Sequence, residues 1–238
     1  MKPSDLFTRE HLLGYVYMQE GGSMIPPLFL ELGQDDYVLD VCAAPGSKTT
    51  QMAQIMENKG GIVANDISLK RITSLGHNLQ LCGVLNTVVT MFDGRRMPLL
   101  VKDRFDKVLV DAPCSSSGHL LGKKPPRFTE RRVRHLSMLQ RSLILAGFKM
   151  LKPDGILVYS TCSIHPEENE VVVDFLLSKE RDAVVEPFNV KGLKTRPGIV
   201  EWDGRRLHDS VEWCTRIYPH DNRTDGFFIA RIRKEGSK

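Results

Sequence analysis

The chain has 238 residues, 41% hydrophobic and 26% charged, with a formal net charge of +4, which suits one large core with at most a small appendage. Its opening residues, MKPSDLFTREHLLGYVYMQEGG, lack a charged-then-apolar signal pattern and no apolar run of about 18 residues follows, so neither secretion nor membrane spanning is expected, and a cytoplasmic protein is. The five cysteines, Cys42, Cys82, Cys114, Cys162 and Cys214, are odd in number and form no CxxC pair, which argues against a disulfide framework and a cysteine metal site; no metal is expected.

In chain order, apolar runs with strand character alternate with helical ones. YVLDV (37–41) precedes the helical SKTTQMAQIMEN, GIVANDI (61–67) precedes SLKRITSLGHNLQLCG, and NTVVTMF (86–92) follows. Next come FDKVLVDAP (105–113) and a helix in which Val133, Leu136, Leu139, Leu143 and Gly147 recur at helical spacing, then GILVYSTC (155–162) and NEVVVDFLLSK, and finally GFFIARIR (226–233). Such alternation predicts an α/β fold, a parallel sheet with helices on both faces. The acids of PEENE are placed to meet the positive end of the helix after them. Phe188 to Asp225 shows no assignable periodicity. The basic excess lies from Lys191 onward, and a second basic cluster, GKKPPRFTERRVR, runs from Gly122 to Arg134; each reads equally as a solvated face.

In such a sheet ligands bind beyond the carboxyl ends of the strands. That edge collects Asp40, Asp66, Asp93, Asp111, Cys114 and Cys162. CAAPGSKTT imitates the end of a phosphate-binding loop, but the motif needs glycine at position 41 and lysine directly after Gly46, where Val41 and Ser47 stand. What is left is a tight strand-to-helix turn, an acid (Asp66) suited to ribose hydroxyls, and another (Asp93) suited to an adenine amino group. A nucleoside without phosphates, S-adenosyl-L-methionine, fits that arrangement.

The strings VLDVCAAPGSKTTQ, ANDIS, DAPCSSSG, YSTCSIHPEENE and RIYPHDNRTDGFFIA, spread over residues 16–233, resemble the Sun/Nop family of RNA cytosine-5 methyltransferases. The paired APC and STC motifs are its most specific part. The resemblance implies a Rossmann-like methyltransferase fold, a mostly parallel seven-stranded sheet whose last strand, here Gly226 to Arg233, is antiparallel. Residues 1–35 would then lead into a catalytic domain at 36–238. QEGGSMIPP ahead of the first strand is similar to transfer-RNA methyltransferases, so RNA is the expected partner, tRNA ahead of rRNA. Many members carry a larger amino-terminal RNA-binding region, so an accessory RNA-binding domain or protein is expected. Ser116 stands where the family often has glycine.

Carbon 5 of cytosine is a poor nucleophile, and a thiolate added at carbon 6 turns the ring into an enamine able to attack a methyl group. By resemblance, Cys162 is that nucleophile and Cys114 assists loss of the carbon-5 proton or breakdown of the adduct. Asp111 would hold or protonate N3, and Lys48 would support the cluster and lower the thiol pKa. The implied cofactor contacts are Cys42, Ala43, Ala44, Pro45, Gly46, Ser47, Lys48, Asp66, Arg71, Asp93 and Asp111. Lys123, Lys124 and Arg127 are expected at the rim, on RNA phosphates. Cys42, Cys82 and Cys214 read as non-catalytic packing residues and His165 as a loop residue. Two other readings stay open: a methyltransferase that makes no covalent adduct, for which both edge cysteines are dispensable, and a non-catalytic RNA-binding subunit.

Overall fold

A computed structural model describes residues 8–120 and 129–236. Its elements alternate as the sequence predicts. Short α1 (Arg9–Leu12) is followed by β1 (Tyr37–Asp40), α2 (Ser47–Ile55), β2 (Gly61–Asn65), α3 (Leu69–Leu81), β3 (Thr87–Thr90), β4 (Phe105–Asp111), α4 (Glu130–Met150), β5 (Leu151–Thr161) and α5 (Glu170–Lys179). The five strands pair in parallel in the order β3-β2-β1-β4-β5. Reversal of strand order beside β1 opens the crevice in which an α/β sheet binds ligands.

Beyond β5 the chain adds β6 (Ala183–Glu186), β7 (Arg196–Pro197), β8 (Glu201–Trp202), β9 (Arg205–Arg206), β10 (Thr215–Ile217), short α6 (Pro219–Asn222) and β11 (Phe227–Lys234). β11 runs antiparallel along β5, as expected of the last strand. Its other edge is shared: β10 pairs with Phe227–Ile229 and β6 with Arg231–Lys234. With β7 paired to β10 the sheet has, among the described residues, nine strands rather than the seven expected. The two extra strands are only two and three residues long, too short to show the alternation by which a strand is read. β8 and β9 form a separate hairpin around Asp203 and Gly204, both left-handed (φ 52° and 69°), as a two-residue hairpin turn requires.

Period-two alternation sends side chains of the central strands to opposite faces. Val108, Val110, Leu157, Tyr159, Phe228 and Ala230 join Leu143, Ile144 and Phe148 of α4 and Val172, Val173 and Leu176 of α5 on one face. On the other, Leu109, Ile156, Val158, Phe227 and Ile229 meet Met52 and Ala53 of α2. Phe29 and Leu30, ahead of β1 in a 3-10 turn (Pro26–Leu30), are buried there too. Close approach of α4 to the sheet needs Gly147, where a Cβ would stand 2.8 Å from Val110 Cγ2. Among the described residues no helix is long and apolar enough to cross a membrane.

Candidate active site

Both thiols stand just past strand ends, Cys114 after β4 and Cys162 after β5. Their loops are stitched together by backbone bonds: Gly118 N donates to Cys162 O (2.9 Å), and Gly226 N, at the start of β11, donates to Gly118 O (2.8 Å). A Cβ on Gly118 would lie 2.4 Å from Gly226 O and 2.8 Å from Cys162 O, so only glycine passes this crossing. Below it, the buried Glu168 carboxylate accepts from Ser115 N (2.9 Å), Ser115 Oγ (2.5 Å), Ser163 Oγ (2.5 Å) and Gln140 Nε2 (3.0 Å). It thereby fixes the residue after each cysteine. The two sulfurs end 3.1 Å apart as free thiols.

Two thiols so close are within hydrogen-bond reach of each other. A hydrogen bond from Cys114, joined by His119 and Ser116 and opposed by burial, draws the Cys162 pKa down to about 5. Cys114, which gives that bond and is buried, is pushed well above the usual thiol range. These opposite directions favour the thiolate on Cys162. Ser116 adopts φ 59°, a left-handed conformation glycine takes at less cost, and its Oγ stands 3.5 Å from Cys162 Sγ.

Beside the thiols lies a second polar cluster. Asp111 Oδ2 accepts from Lys48 Nζ (2.7 Å) and Oδ1 from Ser160 Oγ (2.8 Å). Lys48, almost wholly buried, also donates to Ser23 Oγ (2.8 Å) and stands 5.4 Å from the centre of the Phe227 ring. Lys48 therefore serves Asp111. Among the groups that lower the Cys162 pKa, the cation named is His119.

A cleft of about 410 Å3 opens beyond β1, β2 and β3, lined by Cys42, Asp66, Arg71, Asp93 and Arg95 with apolar walls from Ile67, Phe92, Met138 and Leu139. Asp66 is 2% exposed; it accepts from Ser68 N (2.9 Å) through Oδ1, while Oδ2 makes no hydrogen bond, although Arg71 Nη1 lies 3.1 Å away. A buried acceptor with spare capacity suits a ribose hydroxyl, so these residues fit S-adenosylmethionine. Arg71 also donates to Ala44 O. Asp93 caps the turn after it and is held by Arg95 Nε (2.9 Å) and Nη2 (2.7 Å), bonds that lower its pKa.

Of the remaining turn residues, Ala43 and Ala44 pack their side chains into a core cluster with Ala64, Leu75 and Leu79. The N–H groups of Ala43 and Gly46 are spent on Asn65 O and Ala43 O, both at 2.8 Å. Pro45, Gly46 and Ser47 shape the turn, where Gly46 takes φ 106°; Asp111 lies with Lys48 outside the cleft lining. Cys42, half-buried with its pKa raised by burial, and Cys214, fully buried, pack as expected. Lys123, Lys124 and Arg127 lie outside the described residues.

Sequence reasoning missed three groups. Glu168 and Glu170 were legible only as acids at a helix start; Glu168 instead clamps the two cysteine loops, and Glu170 is buried against Arg216 Nε (2.5 Å) and Nη2 (2.6 Å). Polarity inside an otherwise apolar helical stretch is the available signal. His119 and Asp225 meet at 2.6 Å although 106 residues apart, a pairing without any local signature.

A sheet edge that offers an acceptor for ribose but no phosphate cradle, with two free thiols 3.1 Å apart next to it, defines an S-adenosylmethionine-dependent methyltransferase. Residues 27–233 match the family described as 16S rRNA methyltransferase RsmB/F. The chain belongs to this Sun/Nop family of RNA cytosine-C5 methyltransferases. It is 48% identical over 229 residues to the tRNA (cytosine(49)-C(5))-methyltransferase of Pyrococcus abyssi, covering 94% of this chain and 72% of that enzyme. With the 28S rRNA (cytosine(4447)-C(5))-methyltransferase of Homo sapiens it shares 40% identity over 234 residues, 95% of this chain but 28% of that one. The structure of NSun6 from Pyrococcus horikoshii with SFG superimposes with a TM-score of 0.84 at 36% identity, covering 97% of this chain and 56% of the other.

Proposed function

We propose that the protein methylates carbon 5 of a cytosine in RNA, a tRNA ahead of an rRNA, through a covalent adduct of Cys162 with carbon 6. The observation that carries this reading is the pair of free thiols 3.1 Å apart, beside Asp111. S-adenosylmethionine, held by Asp66 and Arg71 in the cleft, supplies the methyl group. Cys162 Sγ adds to carbon 6 while Asp111, kept in place by Lys48 and Ser160, meets N3 as charge develops there. Once the adduct forms, Cys114 no longer faces a thiolate; it gives its own proton to solvent, and the thiolate so formed takes the carbon-5 proton, whose bonding pair restores the 5,6 double bond as the carbon–sulfur pair returns to Cys162. Similarity to the archaeal tRNA enzyme favours tRNA, and partial coverage of longer relatives favours an RNA-binding segment or partner in addition. We assign this work to the cytoplasm. Mass spectrometry of nucleosides from RNA incubated with protein and S-adenosylmethionine should show 5-methylcytidine; methyl transfer to an exocyclic amine instead would sink the reading, and no transfer at all would leave only an RNA-binding role.

Two further outcomes are expected. Asp66→Ala should weaken S-adenosylmethionine binding by about 1–3 kcal/mol, the scale for hydrogen bonds to a charged acceptor; calorimetric titration of the folded variant gives the value, and unchanged affinity removes Asp66 from the site. Replacing Lys123, Lys124 and Arg127 together with alanine should raise the half-saturating RNA concentration and flatten its salt dependence, with cofactor affinity unchanged. A salt slope equal to that of the parent would make the run an ordinary solvated face.

A further inference from the structure

His119 stands between two of the segments that build the thiol site. Its Nδ1 lies 2.6 Å from Asp225 Oδ2, and Cys162 is the neighbour that acts most strongly on the ring. The bonds from Gly118 N to Cys162 O and from Gly226 N to Gly118 O fix its backbone between the loop after β5 and the start of β11. Asp225, 8% exposed at its side chain, is itself anchored by donation of its N–H to Glu20 Oε1 (3.0 Å). The side chain of His119 is one-third exposed and so can exchange protons with solvent.

We propose that His119, oriented by Asp225, is a catalytic proton acceptor for Cys162, so that nucleophile, imidazole and carboxylate form a relay inside the methyltransferase site. This rests on the reading of Cys162 as the nucleophile. The S–H bond of Cys162 breaks with its electron pair left on sulfur, and a lone pair on Nε2, the ring nitrogen that Asp225 does not engage, binds the proton. Sγ then uses its pair to bond carbon 6 as the carbon 5–carbon 6 π pair moves toward carbon 5. When the adduct breaks, the bonding pair returns to sulfur and the still-protonated imidazole receives it as counter-ion. The carbon-5 proton leaves separately. Asp225 acts through the ring, as a positioning residue.

The charges around the imidazole agree with this assignment. Cys162 first, then Asp225, draw the His119 pKa up to about 9, against the opposing pull of burial. The other titratable groups nearby are Cys114 from the loop after β4, Glu168 behind it, and Glu20 beyond Asp225. With Cys162 lowered and His119 raised, the two shifts favour the thiolate–imidazolium pair near neutral pH. At lower pH the thiol regains its proton; at higher pH the imidazole loses one.

The test is the pH dependence of alkylation of Cys162 by iodoacetamide in the whole protein without RNA, each thiol followed by peptide mass spectrometry. In His119→Gln the titration midpoint should rise by about one pH unit or more, since loss of an adjacent cation returns a thiol toward its usual pKa near 8.5. Asp225→Asn, which keeps the ring, should move it in the same direction by less. Methylation by His119→Gln should be depressed most at low pH and recover toward the parent's rate as pH rises, with the RNA half-saturation unchanged. An unmoved alkylation midpoint in both folded variants, or a loss of methylation equal at every pH, overturns the relay. Because the thiol titration uses no RNA, a shifted midpoint together with absent 5-methylcytidine would refute the proposed function and leave the His119–Cys162 pair standing.

Discussion

Cys162→Ser is expected to lose 5-methylcytidine formation by at least about a thousandfold, some 4 kcal/mol of transition-state stabilisation, without forming any protein–RNA adduct. A serine hydroxyl in the same place cannot be brought to its anion by a pull that takes a thiol to about pH 5. Cys114→Ser should fail differently. It leaves Cys162 able to add to carbon 6 but removes the group that clears the carbon-5 proton, so protein joined to RNA should accumulate as a band that survives denaturing electrophoresis. Reversal of the two outcomes would exchange the roles of the thiols. Retained turnover in both variants would establish transfer without an adduct.

Asp111→Ala should slow methylation by about 100- to 1,000-fold, the usual cost of removing one group aimed at charge that develops in the transition state. It should also reduce stability by about 1–3 kcal/mol, because the buried Lys48 ammonium loses its carboxylate 2.7 Å away and keeps only Ser23 and the face of Phe227. Stability and rate can be separated by a second change. Adding Lys48→Met to Asp111→Ala removes the stranded cation, so chemical denaturation should show the lost stability returning while methylation stays low. Activity restored along with stability would make the Lys48–Asp111 pair a packing device only.

The parallel half of the fold was legible because each strand there is long enough to show its pattern and is followed by a helical period, as YVLDV and SKTTQMAQIMEN show. The thiols were legible because each belongs to a motif contained in one short loop. Residues 188–225 were not, since β7, β8, β9 and β10 have two or three residues each and draw their pairing from the sheet rather than from a pattern of their own. Ala43 and Ala44 were read as cofactor contacts by resemblance, and that their small side chains also fill the space against Leu75 and Leu79 was not legible in the turn itself. His119 and Asp225 escaped for another reason: their meeting depends on β11 lying against β5, a contact that no local stretch encodes.

β11 has a consequence for how the protein comes into being. Made after every other strand described, it nonetheless lies inside the sheet, with β5 on one side and β6 and β10 on the other. Until it emerges from the ribosome, Ile156–Thr161 of β5 offer a bare hydrogen-bonding edge to any neighbouring chain. Over the same interval both thiols are already present, but Asp225 and Phe227, which lie in or beside β11, are not. Arrival of this strand closes the edge and brings Asp225 to His119 in one event, so the sheet and the polar surroundings of the thiol loops are finished together.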